Sequence, residues 1–386
     1  MEYRCLILGM AIVMLFVPGP ADGSEWEGSV ERKGDVPYVS NPSQGFNPRV
    51  VVRCVESWRH GGTSSNLLLG SISETLRDEE GRSFLLDSQM NVVHVIGPKG
   101  SLQGSIGREG EGPGEFRRAS GAALQSDGVV CVSQVMPARL ARVARDGSAL
   151  DDHPLPRDFD ANWLNGCAAT DAGLVVFLDA MIQEGTRVGM QTLVALLASD
   201  GSIAGECWRR TLTADMANME FDERTDAPPV RAVGNDGRFY VSTDWDSYEV
   251  GVMECGAGDV MTIAREYEHL LRPSAEIAEV EKQKPEGRIS SETRVATTLR
   301  DIMALFPRPD GSLWVLSSRG ERAPAEGLIA VFDEFDRDGR FVREVALSGT
   351  YRPGLDSFAL AGSHIYIFPE SDEENEVICM GLELPE

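Results

Sequence analysis

Apolar residues along this chain gather in short runs set off by glycine turns, and no long stretch sustains helical spacing. The clearest runs are Ser83-Phe84-Leu85-Leu86, Val129-Val130-Cys131-Val132, Leu174-Val175-Val176-Phe177, Phe239-Tyr240-Val241 and Leu313-Trp314-Val315-Leu316. They are too short for helices and rich in β-branched and aromatic side chains, which predicts strands. Each follows a turn centred on Gly81, Gly128, Gly173, Gly237 or Gly311, most with an acidic neighbour. A second set of turns falls 19 to 28 residues later, at Gly100, Gly147, Gly201, Gly256 or Gly258, and Gly339. Glycine beside Asp or Asn supplies the positive φ that a tight hairpin needs. Each repeat therefore predicts a four-stranded meander with tight first and last turns, the excess length falling in the middle loop.

First turns recur every 45 to 74 residues, at or above the span of a propeller blade. A sixth, degenerate copy follows Gly362, with His364-Ile365-Tyr366-Ile367-Phe368 as its strand. The expected fold is an all-β, six-bladed β-propeller over residues 49–386, with a short helical insertion between blades four and five. That insertion is placed at about 269–300: Ser274 caps a helix from Ala275 to Lys284, Glu276 suits its first turn, and Pro285 ends it. Residues 208–228 are polar and read as a second, irregular insert. The last repeat ends soon after a strand at Val377 to Leu384, so its outer strand must come from elsewhere. Arg49 to Val55 is the unassigned strand, and its pairing with Val377 to Leu384 would close the ring. Such pairing could bring Cys54 and Cys379 within reach of a disulfide. Residues 24–48, rich in Gly, Pro, Ser and Asn, are expected as a poorly ordered linker.

The chain opens with Arg4, a 13-residue apolar run from Cys5 to Val17, and small residues at Ala21 and Gly23. That pattern is a secretory signal peptide over 1–23, too short to span a bilayer. The expectation is an exported protein, periplasmic or extracellular, with no membrane span. Acidic residues number 61 against 36 basic ones, a formal charge of −25 that repels phosphate backbones and argues against nucleic acid as a partner. The six cysteines beyond the leader permit disulfides in an oxidising compartment. They stand singly without nearby histidines, so zinc and thiol-redox chemistry are unsupported, and Cys131 reads as a small core residue.

No catalytic constellation emerges. Gly107-Arg108-Glu109-Gly110-Glu111-Gly112-Pro113-Gly114-Glu115-Phe116 lacks the Gly-Lys-Ser/Thr and the following helix of a phosphate cradle, and its glutamates oppose an anion. It reads as a crossing from one blade to the next. His60-Gly61-Gly62 has no Gly-x-Ser-x-Gly to serve as an oxyanion loop. The five histidines show no metal spacing, and no cofactor is expected, a divalent cation being the one alternative left open.

The glycine string, Trp58-Arg59-His60-Gly61-Gly62, Asp87 to Val95 and Arg265-Glu266-Tyr267-Glu268 together resemble the bacterial six-bladed β-propeller family related to NHL repeats. The resemblance implies export and the propeller fold; members are mostly of unknown function, so it implies no active site. In this chain Ala361-Gly362 replaces the acidic turn of the sixth blade.

If the acidic turns form one rim, the middle loops and the crossings between blades form the other, where the length variation lies. Loops on a rigid scaffold are the usual seat of binding. The candidate binding residues there are Arg108, Arg117, Arg118, Trp163, Asp179, Trp245, Tyr248, Arg319 and Glu321. The expected function is a monomeric, non-enzymatic scaffold recognising a protein, peptide or glycan. The alternative is a propeller enzyme, a lyase or metal-dependent lactonase, with carboxylates converging on the central channel.

Overall fold

Every glycine assigned to a turn adopts a positive φ, among them Gly81 at 80° and Gly128 at 86°. At each of these two the glycine N–H donates to the carbonyl three residues back, 3.0 Å to Asp78 and 2.9 Å to Gln125. Only glycine takes this backbone without strain, so the turns fix the strand boundaries.

The computed structural model describes residues 25–62, 67–215, 222–282, 294–322, 324–371 and 374–384. The leader over 1–23 lies outside the described residues. Strands β1 (Ser29–Lys33), β2 (Val36–Asn41) and β3 (Val50–Gly61) precede the repeats. The first sheet runs in order through β4 (Ile72–Arg77), β5 (Ser83–Asp87), β6 (Val92–Ile96) and β7 (Leu102–Ile106). Two short strands, β8 (Arg108–Glu109) and β9 (Glu115–Phe116), pair in the glycine string. The second sheet is β10 (Ala119–Leu124), β11 (Val130–Gln134), β12 (Arg139–Val143) and β13 (Ala149–His153). The third is β14 (Trp163–Thr170), β15 (Gly173–Glu184), β16 (Arg187–Leu197) and β17 (Ile203–Asp215). After helix α1 (Glu223–Asp226) come β18 (Val230–Val233), β19 (Arg238–Ser242), β20 (Glu249–Glu254) and β21 (Gly258–Arg265). Helix α2 (Ser274–Lys282) separates them from β22 (Ile302–Pro307) and β23 (Leu313–Ser317). Helix α3 (Ser318–Arg322), β24 (Leu328–Phe335) and β25 (Phe341–Ser348) follow, then β26 (Ser357–Ala361), β27 (His364–Phe368) and β28 (Glu376–Glu383).

The core sits between successive sheets, because alternate residues of each strand face opposite neighbours. Val130 and Val132 pack on Phe84 and Leu86 of the preceding sheet, whereas Cys131 packs on Leu164, Val176 and Leu178 of the next. The pattern continues through Val175 with Phe239, Val250 with Val315, and Leu347 with Ile365. Leu85 and Ile96 then meet Tyr366 and Val377, so the last strands pack back on the first sheet. This is an all-β, propeller-like fold with few helices.

Several sequence expectations are corrected. Six separate blades were expected, but hydrogen bonding divides the repeats differently. Besides the β8–β9 pair, four sheets stand apart, one of them six-stranded with β1 and β2 added beyond β21, and the other strands form a single eight-stranded sheet. The cause is β3. Its start pairs in parallel with β25, Val50 opposite Val345, while its length pairs antiparallel with β28, Cys54 opposite Leu382 and His60 opposite Val377. The expected partnership of the N-terminal strand with the last one is therefore present, with β3 running on to Gly61. That register sets Cys379 opposite Trp58 and not opposite Cys54, and both cysteines are free thiols.

Residues 24–48 were expected as a loose linker. Instead β1 and β2 form a hairpin, and β2 adds in parallel to β21, Val39 opposite Ile263. Buried Asn41 secures it: Nδ2 donates to the carbonyls of Ala264 and Gly339, each at 2.9 Å. Its Oδ1 accepts from Trp26 Nε1 at 2.9 Å and Phe341 N at 2.7 Å. The insert expected from 208 starts later, since β17 continues to Asp215. Of the span 269–300, the described residues hold α2, which ends at Lys282, and an isolated bridge between Leu271 and Thr298. Lys284 and Pro285 lie outside the described residues.

Candidate functional site

The middle loops and the crossings gather on one rim because each meander runs up, down, up and down. On this rim the segments after β17 and after β21 are tied together. Arg272 donates through both terminal nitrogens to Glu223, 2.8 Å each, and Glu223 also accepts from Ala296 N at 3.0 Å. The Arg272 guanidinium lies 5.5 Å over the Trp245 ring, and Trp245 Nε1 donates to the Thr298 carbonyl at 3.1 Å. Beside them His269 Nδ1 faces the carboxylate of fully buried Asp301 at 2.9 and 3.0 Å. That hydrogen bond raises the His269 pKa, while burial pushes Asp301 up against the pull of the imidazole.

Where the β18–β21 strands meet β22–β25, the same rim opens into a cleft of about 480 Å³. Its floor is a buried cluster. Tyr248 Oη donates to Asp333 Oδ2 at 2.5 Å, Arg265 Nη1 is paired with the same oxygen, and Arg265 Nη2 donates to the Ser43 carbonyl at 2.6 Å. Burial pushes the Asp333 carboxyl up, and the Arg265 guanidinium opposes it. The walls are Arg49, paired with Glu344 at 2.6 Å, and Arg319, whose Nε and Nη2 donate to the Glu268 carbonyl and carboxylate at 2.8 Å each. Tyr267 and Ser318 share a hydroxyl hydrogen bond of 2.9 Å between them. Helix α3 places Arg319 here. Ser317 Oγ accepts the Gly320 N–H at 3.2 Å, and Gly320 lies so near β24 that a Cβ would come 1.9 Å from the Val331 carbonyl. A second hollow of about 570 Å³, lined by residues 43–49 and Glu344, adjoins the cleft.

The structure scatters the nine residues singled out from sequence. Arg319 lines the cleft. Tyr248 is a correction: it is 4% exposed and belongs to the floor, because its hydroxyl is consumed by Asp333 and its ring packs 5.1 Å from Tyr267. Trp245 is half-buried under Arg272. Glu321 is half-buried beside Arg322 at 3.5 Å, and burial raises its pKa. Trp163 and Asp179 are cross-strand neighbours at the base of the β15–β16 hairpin; Asp179 accepts from Asn165, and its Oδ1 is buried without a partner among the described residues. Arg108, Arg117 and Arg118 sit far along the chain, on the glycine string and its exit. Arg108 pairs with Glu115 at 2.5 Å and Arg117 with Glu111 at 3.0 Å, whereas exposed Arg118 has a φ of 48°. Gly112 N donates to Glu115 at 2.9 Å, so the string is held by its own glutamate.

Sequence reasoning passed over Asp333, Asp301 and Arg49. Arg265 and Tyr267 stood in a string quoted for its family likeness, which was the available signal. Among the described residues no three metal-ligating side chains converge, and no helix is long and apolar enough to cross a membrane.

No family model matches the chain, and no curated protein matches it. Solved structures do. A Bacteroides fragilis protein described as exported aligns with 88% of this chain and 100% of its own, at 11% identity and a TM-score of 0.49. A duf4221-family member from Bacteroides vulgatus aligns with 87% of this chain and 99% of its own, at 8% identity and a TM-score of 0.50. Virginiamycin B lyase from Staphylococcus aureus aligns with 84% of this chain and 99% of its own, at 12% identity and a TM-score of 0.40. At 8% identity the duf4221 likeness speaks to fold alone, and nothing is argued from the other two.

Proposed function

We propose that this chain is an exported, non-enzymatic binding scaffold that takes a polar segment of a protein, peptide or glycan in the cleft between Arg49, Tyr267 and Arg319. The observation that carries this reading is the cleft itself. It is roomy and open on the rim where the loops vary, and its floor is already neutralised by Arg265 and Asp333. Its exposed lip offers guanidinium and carboxylate groups held in surface pairs, which contribute little to stability and exchange readily for a ligand's hydrogen bonds.

In this reading the eight-stranded sheet is two meanders, β22–β25 and β26–β28 completed by β3. With the four separate sheets that makes six units around one axis, in a domain over 49–386 after the leader over 1–23, with the N-terminal segment 24–48 adding the β1–β2 hairpin to its edge. Export is supported by the apolar leader and by the Cys207–Cys255 disulfide, a bond that persists in oxidising compartments.

Glycan and peptide arrays probed with the mature chain test the assignment. Ligands retained by the wild type should be lost by an Arg49→Ala, Arg319→Ala double variant that melts normally. Ligands bound equally by both proteins would place recognition elsewhere.

A further inference from the structure

Strands β15, β16 and β17 do not stop at the rim. Pairing runs out to Glu184 opposite Arg187 and Arg187 opposite Asp215, about five residues beyond Asp179, so a three-stranded fin projects roughly 17 Å. Paired residues in an antiparallel sheet share a face. Met181 is opposite Met190, and Met190 opposite Leu212, which makes one apolar row across the fin. These three side chains are 62%, 43% and 42% exposed. The other face is polar apart from Ala180 and Ile182, with Arg209 held by Glu206 and Gln191 by Thr211.

Among the described residues the fin also has an open edge. The last backbone contact on the outer side of β17 is Gly256 N to the Glu206 carbonyl at 2.8 Å. From Arg209 to Asp215, no backbone–backbone hydrogen bond outside β16 reaches β17 among the described residues, and the one backbone group met there is the Thr225 carbonyl, which accepts from the Arg210 side chain at 3.3 Å. Exposed strand edges recruit further strands unless charge or proline blocks them, and the sequence from Arg209 to Asp215, Arg-Arg-Thr-Leu-Thr-Ala-Asp, contains no proline.

We propose that β17 pairs with β17 of a second copy across a two-fold axis at Leu212. A two-fold perpendicular to the sheet keeps each face on its own side, so the axis must fall on a residue. At Arg210 it would set like charges against each other. At Leu212 it sets Leu212 against the partner's Leu212, and Thr211 against the partner's Thr213. Positions 209 and 215, of opposite sign in the sequence, then face each other twice. The apolar row continues from one copy into the next, giving a six-stranded sheet with Met181, Met190 and Leu212 repeated in reverse. This dimer replaces the expected monomer and does not rest on the cleft reading.

Sedimentation of the full mature chain over a range of concentrations tests it, together with cysteine cross-linking in a Cys54→Ala background. The expected result is a reversible dimer that Leu212→Glu weakens by about tenfold or more, since like charges then oppose each other at the axis. Leu212 is exposed, so that variant should melt as the wild type does. Leu212→Cys should form a disulfide-linked dimer under mild oxidation, whereas Met181→Cys, two strands from the axis, should not. A monomer at every concentration would overturn the proposal. So would a dimer indifferent to Leu212→Glu, or one cross-linked equally well through Met181→Cys.

Discussion

Asn41 uses both donor hydrogens and two acceptor positions inside the protein, linking β2 to the ends of β21 and β25. Replacing it with alanine strands two buried carbonyls and an N–H, so Asn41→Ala should cost about 2–3 kcal/mol in denaturant titrations. A change near zero would show that the hairpin holds without it. Nothing in the sequence marked this residue. It stands in a stretch of Gly, Pro, Ser and Asn, and only the distant carbonyls that it meets reveal its role. Two other side chains set a pH dependence of opposite sign. Burial raises Glu74, on β4, to about 7, and burial with the nearby Arg77 charge lowers His364, on β27, to about 4. The fold favours neutral Glu74, so its contribution is intact below pH 4.5 and is lost as the pH rises through 7. His364 contributes fully above pH 6.5 and loses that contribution as the pH falls toward 4. Glu74→Gln should therefore match the wild type near pH 4.5 and exceed it by about 1–3 kcal/mol at pH 8. An equal difference at both pH values would contradict the assignment.

At the scale of elements, the repeat was legible because its signals are local. Turn glycines need positive φ, and short β-branched runs between them have only one use. The strand beginning near Arg49 was legible for a different reason, since the last repeat lacked a strand and this strand lacked a repeat. What stayed hidden depends on contacts far apart in sequence: the parallel addition of β2 to β21, the double pairing of β3 that fuses two meanders, and the extension of β17 through a polar stretch. Cysteine pairing was equally out of reach. Cys207 at the edge of the third sheet meets Cys255 in the turn after β20, with Cα atoms 3.9 Å apart. This bond spans 48 residues and ties two neighbouring sheets. The chain-entropy model assigns it about 4 kcal/mol. A Cys207→Ala, Cys255→Ala double variant should unfold at lower denaturant by a comparable amount and lose all sensitivity to reductant. Unchanged stability would show that the sheets are held by packing alone, through Val194 and Phe239.

For the whole molecule, short turns and long loops are divided between the two rims. One carries short glycine turns; the other carries the fin, α3 and the Glu223–Arg272 clasp, around an open cleft. From sequence the rim of variable loops was legible, but the cleft was not, because its parts come from the N-terminal segment, β21, α3, β24 and β25. The choice of Arg108, Arg117 and Arg118 illustrates the limit: their place on a loop was legible, but not that Arg108 and Arg117 are occupied by glutamates on that same loop. The proposed seat of binding is the rim of the cleft. Amide hydrogen exchange of the mature chain, with and without an array-identified ligand, tests it most directly. Slowed exchange is expected at Glu266 to Glu268 and Ser317 to Gly320, with Asp78 to Gly81 and Gln125 to Gly128 unchanged. Protection confined to those glycine turns would contradict it.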